Sequence, residues 1–267
     1  MFLTKKSIVK IVFAGVLYFL FGSISLASGV YFNTQGINKS SLFIIGIVLY
    51  LLCPLFVLWG RYAEGTGKFL NRCNKLLREE LKPAEFIREY EELKKSPDLV
   101  VCKPGVDTLV FVALAYDCLD EREKALAAAD AAVSIAKKKL KKRAILIKVS
   151  LLFCYGRVDE AEAIYDEAKS TKSDPISLSF IDMIQNTDRA KAIGDYKTVV
   201  NYNLRRLEQK FPKLDNLSDV VLRYSLAEAY EKLGDTENAV TYYRYCAERG
   251  GETAMKSSAK AALERLR

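Results

Sequence analysis

The chain has 267 residues, half of them apolar and 28% charged, with 41 Lys and Arg against 33 Asp and Glu, six Cys and no His. The missing imidazole removes a Ser-His-Asp or Cys-His nucleophile pair, any HExxH or Cys2His2 metal site and a phosphohistidine relay, because each needs it as base, ligand or acceptor. Half of the net +8 falls in the first 60 residues, through Lys5, Lys6, Lys10 and Lys39 with no acidic group, and the remainder is too dilute to predict a nucleic-acid partner.

Two uncharged apolar stretches come first. Residues about 8–28, around IVFAGVLYFLFGSISLA, and about 41–60, SLFIIGIVLYLLCPLFVLWG, can each cross a bilayer as a helix. About 20 residues satisfy their own backbone hydrogen bonds over roughly 30 Å of hydrocarbon. The link GVYFNTQGINKS is too short to fold alone, so the pair reads as a transmembrane helical hairpin, with Trp59 and Tyr62 at the headgroup end of the second span. Lys5, Lys6 and Lys10 precede the hairpin and Arg61, Lys68, Arg72, Lys75 and Arg78 follow it, whereas the link holds only Lys39. That distribution predicts both termini on the cytoplasmic side, in the cell (inner) membrane of a bacterium. A competing reading makes Lys5-Lys6, the first apolar run and Ser25-Leu26-Ala27 a cleaved signal peptide; the second span would still thread the rest to the cytoplasm. Pro54 marks either a kink or a tolerated proline. Neither span carries an ionisable group after Lys10, so the hairpin reads as an anchor, with Ser23 and Ala27 as a small-residue face for helix packing.

Residues 61–105 read as a juxtamembrane helical hairpin and linker. Gly65 and Gly67 suggest a hinge, a helix is predicted from about Phe69 to Leu81, and Pro83 suits the first turn of PAEFIREYEELKK, which ends before Pro97. Val100, Val101 and Pro104-Gly105 read as linker.

From 106 to 267 the chain repeats itself. TLVFVALAYDCLDEREKALAAADAAVSIA can be laid on LLFCYGRVDEAEAIYDEAKS and on LRYSLAEAYEKLGDTENAVTYYRYCAER. Small residues recur at Ala125, Ala161 and Ala239. Four residues on stand Ala129, Tyr165 and Tyr243; five before stand Asp120, Gly156 and Gly234. Ala125 and Ala161 are 36 residues apart, near the length of one helix-turn-helix unit. This pattern resembles the tetratricopeptide repeat (TPR) family. The best copy carries Leu226, Ala227, Tyr230, Gly234, Ala239 and Tyr243. Others run through Val112, Ala113, Tyr116, Ala125 and Ala132, and through Val149, Gly156, Ala161, Tyr165 and Ala168. A degenerate copy over roughly 180–213 keeps Gly194 and Val199 at the turn and small-residue positions. The resemblance implies an all-α fold, a right-handed α-solenoid of helix-turn-helix repeats closed by a polar-faced helix in ETAMKSSAKAALERLR; a generic Ala-rich bundle is the alternative.

Catalytic chemistry is thin. The six cysteines contain no CxxC and read as reduced structural thiols, with lipidation of Cys53 or Cys73 the alternative. Lys137, Lys138, Lys139, Lys141, Lys142 and Arg143 fall at the join of two repeats, as a solvated turn or as a surface for anionic lipid. Acidic pairs such as Glu79-Glu80, Glu91-Glu92 and Asp159-Glu160 sit beside cations on solvated helical faces, and GTGK lacks the spacing of a phosphate loop. No metal or cofactor is expected.

In TPR proteins the first helix of each pair lines a concave groove for a protein or peptide partner. The resemblance places Asp107, Val110, Leu114 and Asp117; Arg143, Leu146 and Ser150; Ile184, Asp188 and Lys191; and Tyr224, Glu228 and Glu231 there. The family's clamp for a carboxylate-ended chaperone tail needs Lys, Asn and Arg, where this chain has Val110, Leu114, Val221 and Glu228, so that ligand is disfavoured. The expected function is a non-enzymatic, membrane-tethered scaffold that recruits a protein partner to the cytoplasmic face. The alternative is a structural subunit of an integral membrane complex whose hairpin makes the key contacts. An enzyme is a third reading, resting only on the unassigned residues before 105.

Overall fold

A computed structural model describes residues 2–35, 44–49, 52, 68–95, 99–102, 104–170, 175–209 and 213–266. Its secondary structure is helical apart from one two-stranded antiparallel ribbon, and it forms two compact units: Met1–Asn71 with Glu92–Pro104, and Arg72–Glu91 with Gly105–Arg267.

In the first unit, β1 (Phe2–Thr4) leads into α1 (Lys5–Thr34). Within α1, Ile8–Thr34 contains an 18-residue window with a mean hydropathy of 2.0, and its 27 residues are long and apolar enough to cross a membrane. Phe13, Phe21 and Ile24 project from it into the surroundings. The helix continues past the predicted end at 28, because Gly29 is followed by Val30, Tyr31 and Phe32 with no proline to break it. Of the predicted second span, residues 44–49 and 52 are helical; its remainder, with Pro54, Trp59 and the Gly65/Gly67 hinge, lies outside the described residues. Gly46 provides the close helix approach, since a Cβ there would lie 2.5 Å from Leu26 Cγ and 2.9 Å from the Leu26 nitrogen. Of the expected Ser23/Ala27 face, Ala27 is exposed and Ser23 Oγ donates to Phe19 O of its own helix at 2.9 Å, while most of the span it was to meet lies outside the described residues. The expected linker at Val100-Val101 is instead β2 (Leu99–Cys102), paired to β1 through Phe2↔Cys102, Leu3↔Val101 and Thr4↔Leu99. Leu-Val-Val suits a strand, and its partner is supplied from the far end of the sequence.

The units divide between Pro104 and Gly105, but Arg72–Glu91, expected to go with the juxtamembrane segment, belongs to the same unit as the later helices. Helix α2 (Lys68–Cys73) passes into a π-helical turn over Asn74–Glu79, which buries Leu76 and Leu77. The helix stops short of Leu81, which takes a left-handed φ of 55° and is itself buried. That costs an L-residue about 1–2 kcal/mol, and it turns the Leu81 carbonyl to accept from Glu252 N at 2.8 Å. Gly251 is required there, since a Cβ would come within 2.6 Å of Leu81 O. Further ties are Asn216 Nδ2 to Glu79 O at 2.6 Å, Arg78 to Asp215 at 3.5 Å, and the Arg78 guanidinium 5.3 Å from the Phe111 ring centre. Helix α3 (Pro83–Lys95) buries Phe86 and Tyr90 one turn apart, and Arg72 clamps its Glu89 at 2.6 Å.

Four helix pairs follow: α4 (Val106–Cys118) with α5 (Arg122–Ile135); α6 (Lys138–Cys154) with α7 (Val158–Ser170); α8 (Pro175–Asn186) and α9 (Asp188–Ala192) with α10 (Tyr196–Glu208); and α11 (Asn216–Lys232) with α12 (Thr236–Arg249). Helix α13 (Ala254–Arg265) closes the chain. Each pair turns through one left-handed residue: Asp120 (φ 57°), Gly156 (74°), Gly194 (80°) and Gly234 (80°). The next amide reaches back to the preceding helix in the same way each time: Glu121 to Tyr116, Arg157 to Leu152, Asp195 to Ala190 and Asp235 to Tyr230, at 2.8–2.9 Å. This 6→1 bond satisfies a carbonyl at the helix end. Ala125, Ala161, Val199 and Ala239, five residues past each turn residue, are fully buried. Four later, Ala129, Tyr165, Asn203 and Tyr243 are buried in turn. The helices of each pair pack together, as do α5 with α6, α10 with α11 and α12 with α13; α4 also packs on α6, and α6 on α8 and α9.

Candidate functional site

The first helix of the third pair is broken. At Thr187 the backbone leaves helical geometry (φ −121°, ψ −74°), and the Thr187 hydroxyl donates back to Met183 O at 2.6 Å. The chain restarts as α9, which carries Asp188 and Lys191 into a hollow of ≈ 270 Å³. The hollow also takes Asp117 from the end of α4, Asp120 and Arg122 from the first turn, and Cys154 from the end of α6. Tyr224 and Glu228 enter from α11, and Met255 and Ser258 from α13. A second hollow of ≈ 420 Å³ shares Lys191, Tyr224, Glu228 and Ser258 with the first and continues to Glu231, Tyr243 and Arg265. The two form one trough.

Its charges are mostly paired. Lys191 Nζ donates to Glu228, Arg122 to Asp120 at 2.8 Å, and Arg265 to Glu231 at 2.5 Å, where the Tyr243 hydroxyl also donates at 2.7 Å. Asp117 and Asp188 differ. Asp117 accepts from the Tyr155 hydroxyl at 2.7 Å, and Asp188 from Ser150 Oγ at 2.6 Å and the Cys154 thiol at 3.9 Å, while the Thr187 hydroxyl, whose proton points to Met183 O, lies 3.3 Å from Asp188. Among the described residues neither has a cation at ion-pair distance. Burial accordingly raises both carboxyls, Asp117 in direction and Asp188 to about 6, although these hydroxyls pull the other way. Burial alone would lower the Lys191 ammonium, but the Glu228 carboxylate reverses this and raises it. Burial likewise opposes the Glu231 carboxylate, yet Tyr243 and Arg265 hold it below the usual range. The Cys154 thiol is pushed well above its ordinary value, first by burial and then by Asp188.

Of the residues placed in the groove by the repeat pattern, Asp117, Asp188, Lys191, Tyr224, Glu228 and Glu231 line the trough, and Ser150 supports Asp188 from behind. Leu146 and Ile184 do not, because both are fully buried between helices. Val110 packs on the cluster of Leu109, Ala132, Ala136 and Ala144. Asp107 and Leu114 lie on α4 and Arg143 in the first turns of α6, away from the trough. The basic run is not an inter-repeat turn: only Ala136 and Lys137 separate the helices, and Lys138, Lys139, Lys141, Lys142 and Arg143 open α6, with Lys141 exposed. Sequence reasoning missed Cys154, Tyr155 and Thr187, which occupy no repeat position. It also missed Ser258 and Arg265, because α13 was read only as a cap. Among the described residues no three carboxylate or thiol groups are placed to hold a metal ion. In comparisons with known proteins, no family model, no curated protein and no solved structure matches the chain.

Proposed function

We propose that the protein is a membrane-tethered helical-repeat adaptor of TPR type, anchored by an N-terminal hairpin with both termini cytoplasmic, that holds a segment of a protein partner in the trough. One observation carries the reading: side chains from four successive helix pairs, together with the closing helix, converge on one solvent-open trough. Solenoid repeats use such a surface for recognition. Tethering keeps whatever is held at high effective concentration beside other membrane proteins.

A photoreactive residue in place of Tyr224, activated in native membranes, tests this. The expected result is a defined protein adduct that survives replacement of residues 1–60 by an unrelated anchor. An adduct lost with that replacement makes the chain a structural subunit held through its spans, and no adduct at Tyr224 sinks the docking reading.

A further inference from the structure

Every cation bordering the first hollow is already held by an acid, Arg122 by Asp120 and Lys191 by Glu228. Among the described residues, Asp117 and Asp188 are left facing the same space with neutral donors alone, hydroxyls and the Cys154 thiol. Each can accept further bonds, since a carboxylate has about four lone-pair sites. The open volume of ≈ 270 Å³ leaves room for an entering side chain. Tyr224 adds an aromatic wall, and a ring face attracts a cation.

We propose that this hollow receives an ammonium or guanidinium group, with Asp117 and Asp188 as its acceptors. The inference rests on the docking reading above and deepens it, naming a Lys or Arg side chain of the partner segment as the occupant. A free polyamine offers the same chemistry and is separated by experiment. An entering cation would give these carboxylates an ionised donor, which they now lack among the described residues, beside the hydroxyl bonds they already accept. The excess is local to this hollow, because the chain as a whole is basic.

The full-length protein in a nonionic micelle should be titrated with acetyl-(Ala-Lys)3-amide, acetyl-(Ala-Glu)3-amide and spermidine, with binding read by calorimetry. The lysine peptide is expected to bind at least about tenfold more tightly than the glutamate peptide. Asp117→Asn, whose remaining oxygen can still accept from Tyr155, and Asp188→Asn, whose remaining oxygen can still accept from Ser150, remove the charge and should each weaken it by about tenfold, whereas exposed Glu237→Gln changes nothing. Thermal melting of the same variants shows that lost binding is not unfolding. Equal binding of both peptides, or full binding by the double variant, overturns the proposal. Spermidine bound without the lysine peptide assigns the site to a free amine and overturns the peptide source. A Tyr224 adduct that persists undiminished in the double variant leaves docking standing and removes only the cation.

Discussion

The third and fourth helix pairs share a turn and differ in almost everything behind it. In the fourth, Gly234 turns the chain, Ala239 lets the helices approach, and buried Tyr243 closes the gap while its hydroxyl donates to Glu231 at 2.7 Å. In the third, Val199 replaces the alanine, the slot of Tyr243 holds a fully buried Asn203 whose amide atoms have no partner among the described residues, and the first helix breaks at Thr187. The regular pair is built for packing. The irregular one supplies Asp188 and Lys191 to the trough. Local departures from an otherwise consistent pattern are expected where function has displaced stability, and here they coincide with charged residues of the trough.

The largest effect that tests this contrast is Tyr243→Ala. Removing a buried ring should cost about 3–5 kcal/mol, measured by urea unfolding of the micellar protein followed by helical circular dichroism. A loss under ~1 kcal/mol would show that the fourth pair is no better packed than the third. Next comes Asp188→Asn. The folded carboxyl titrates near 6 through burial, above its unfolded value of about 4. The folded state therefore binds the proton more tightly, and Asp188 destabilises the fold progressively as pH rises from about 4 through 6. The variant should be more stable by about 1–3 kcal/mol at pH 7.5, with no gain near pH 4. A gain that is independent of pH would mean that the charge is not the cause. Asn203→Leu should stabilise by about 1–2 kcal/mol, because an unpaired buried amide gives way to an apolar group of similar size; destabilisation would show that the amide has a partner after all.

The four turns were the most legible part of the sequence, for a physical reason. A left-handed turn followed by a small buried residue leaves a local signature, and Gly156, Gly194 and Gly234 could be found from it along with the non-glycine Asp120. Open space surrounds the Cβ position at Gly234, so Gly234→Ala measures the backbone term alone, about 1–2 kcal/mol of destabilisation. Asp120→Gly should gain less, since relief of strain is offset by the exposed pair with Arg122. Reversed signs would remove the turn as the common element. The trough was legible in part, because Asp117, Asp188, Lys191, Tyr224 and Glu228 follow repeat spacing. Their partners were not. Tyr155 and Thr187 act through bonds to residues on other turns or at a break that no proline or glycine announces. The β1–β2 ribbon was hidden because a pairing between the chain start and residue 99 has no local trace.

The smallest effect concerns a contrast between helix starts. Asp215 caps α11 by accepting from Ser218 N at 2.8 Å, whereas α6 begins at Lys137 with no side-chain cap and no acid in its first turn. Cations at that end oppose the helix dipole. Lys137→Asp should therefore stabilise by about 1 kcal/mol through capping, a gain left unused if the basic run serves another end. The proposed contact with anionic lipid is such an end, worth about 1 kcal/mol per cation at the membrane surface. In nanodiscs, amide exchange over residues 137–143 should slow when phosphatidylglycerol replaces phosphatidylcholine, and Lys137→Asp should shrink that difference while raising stability in micelles. Exchange that ignores lipid charge would leave the missing cap as a plain weakness of α6 and withdraw the lipid contact, with the contrast to α11 intact.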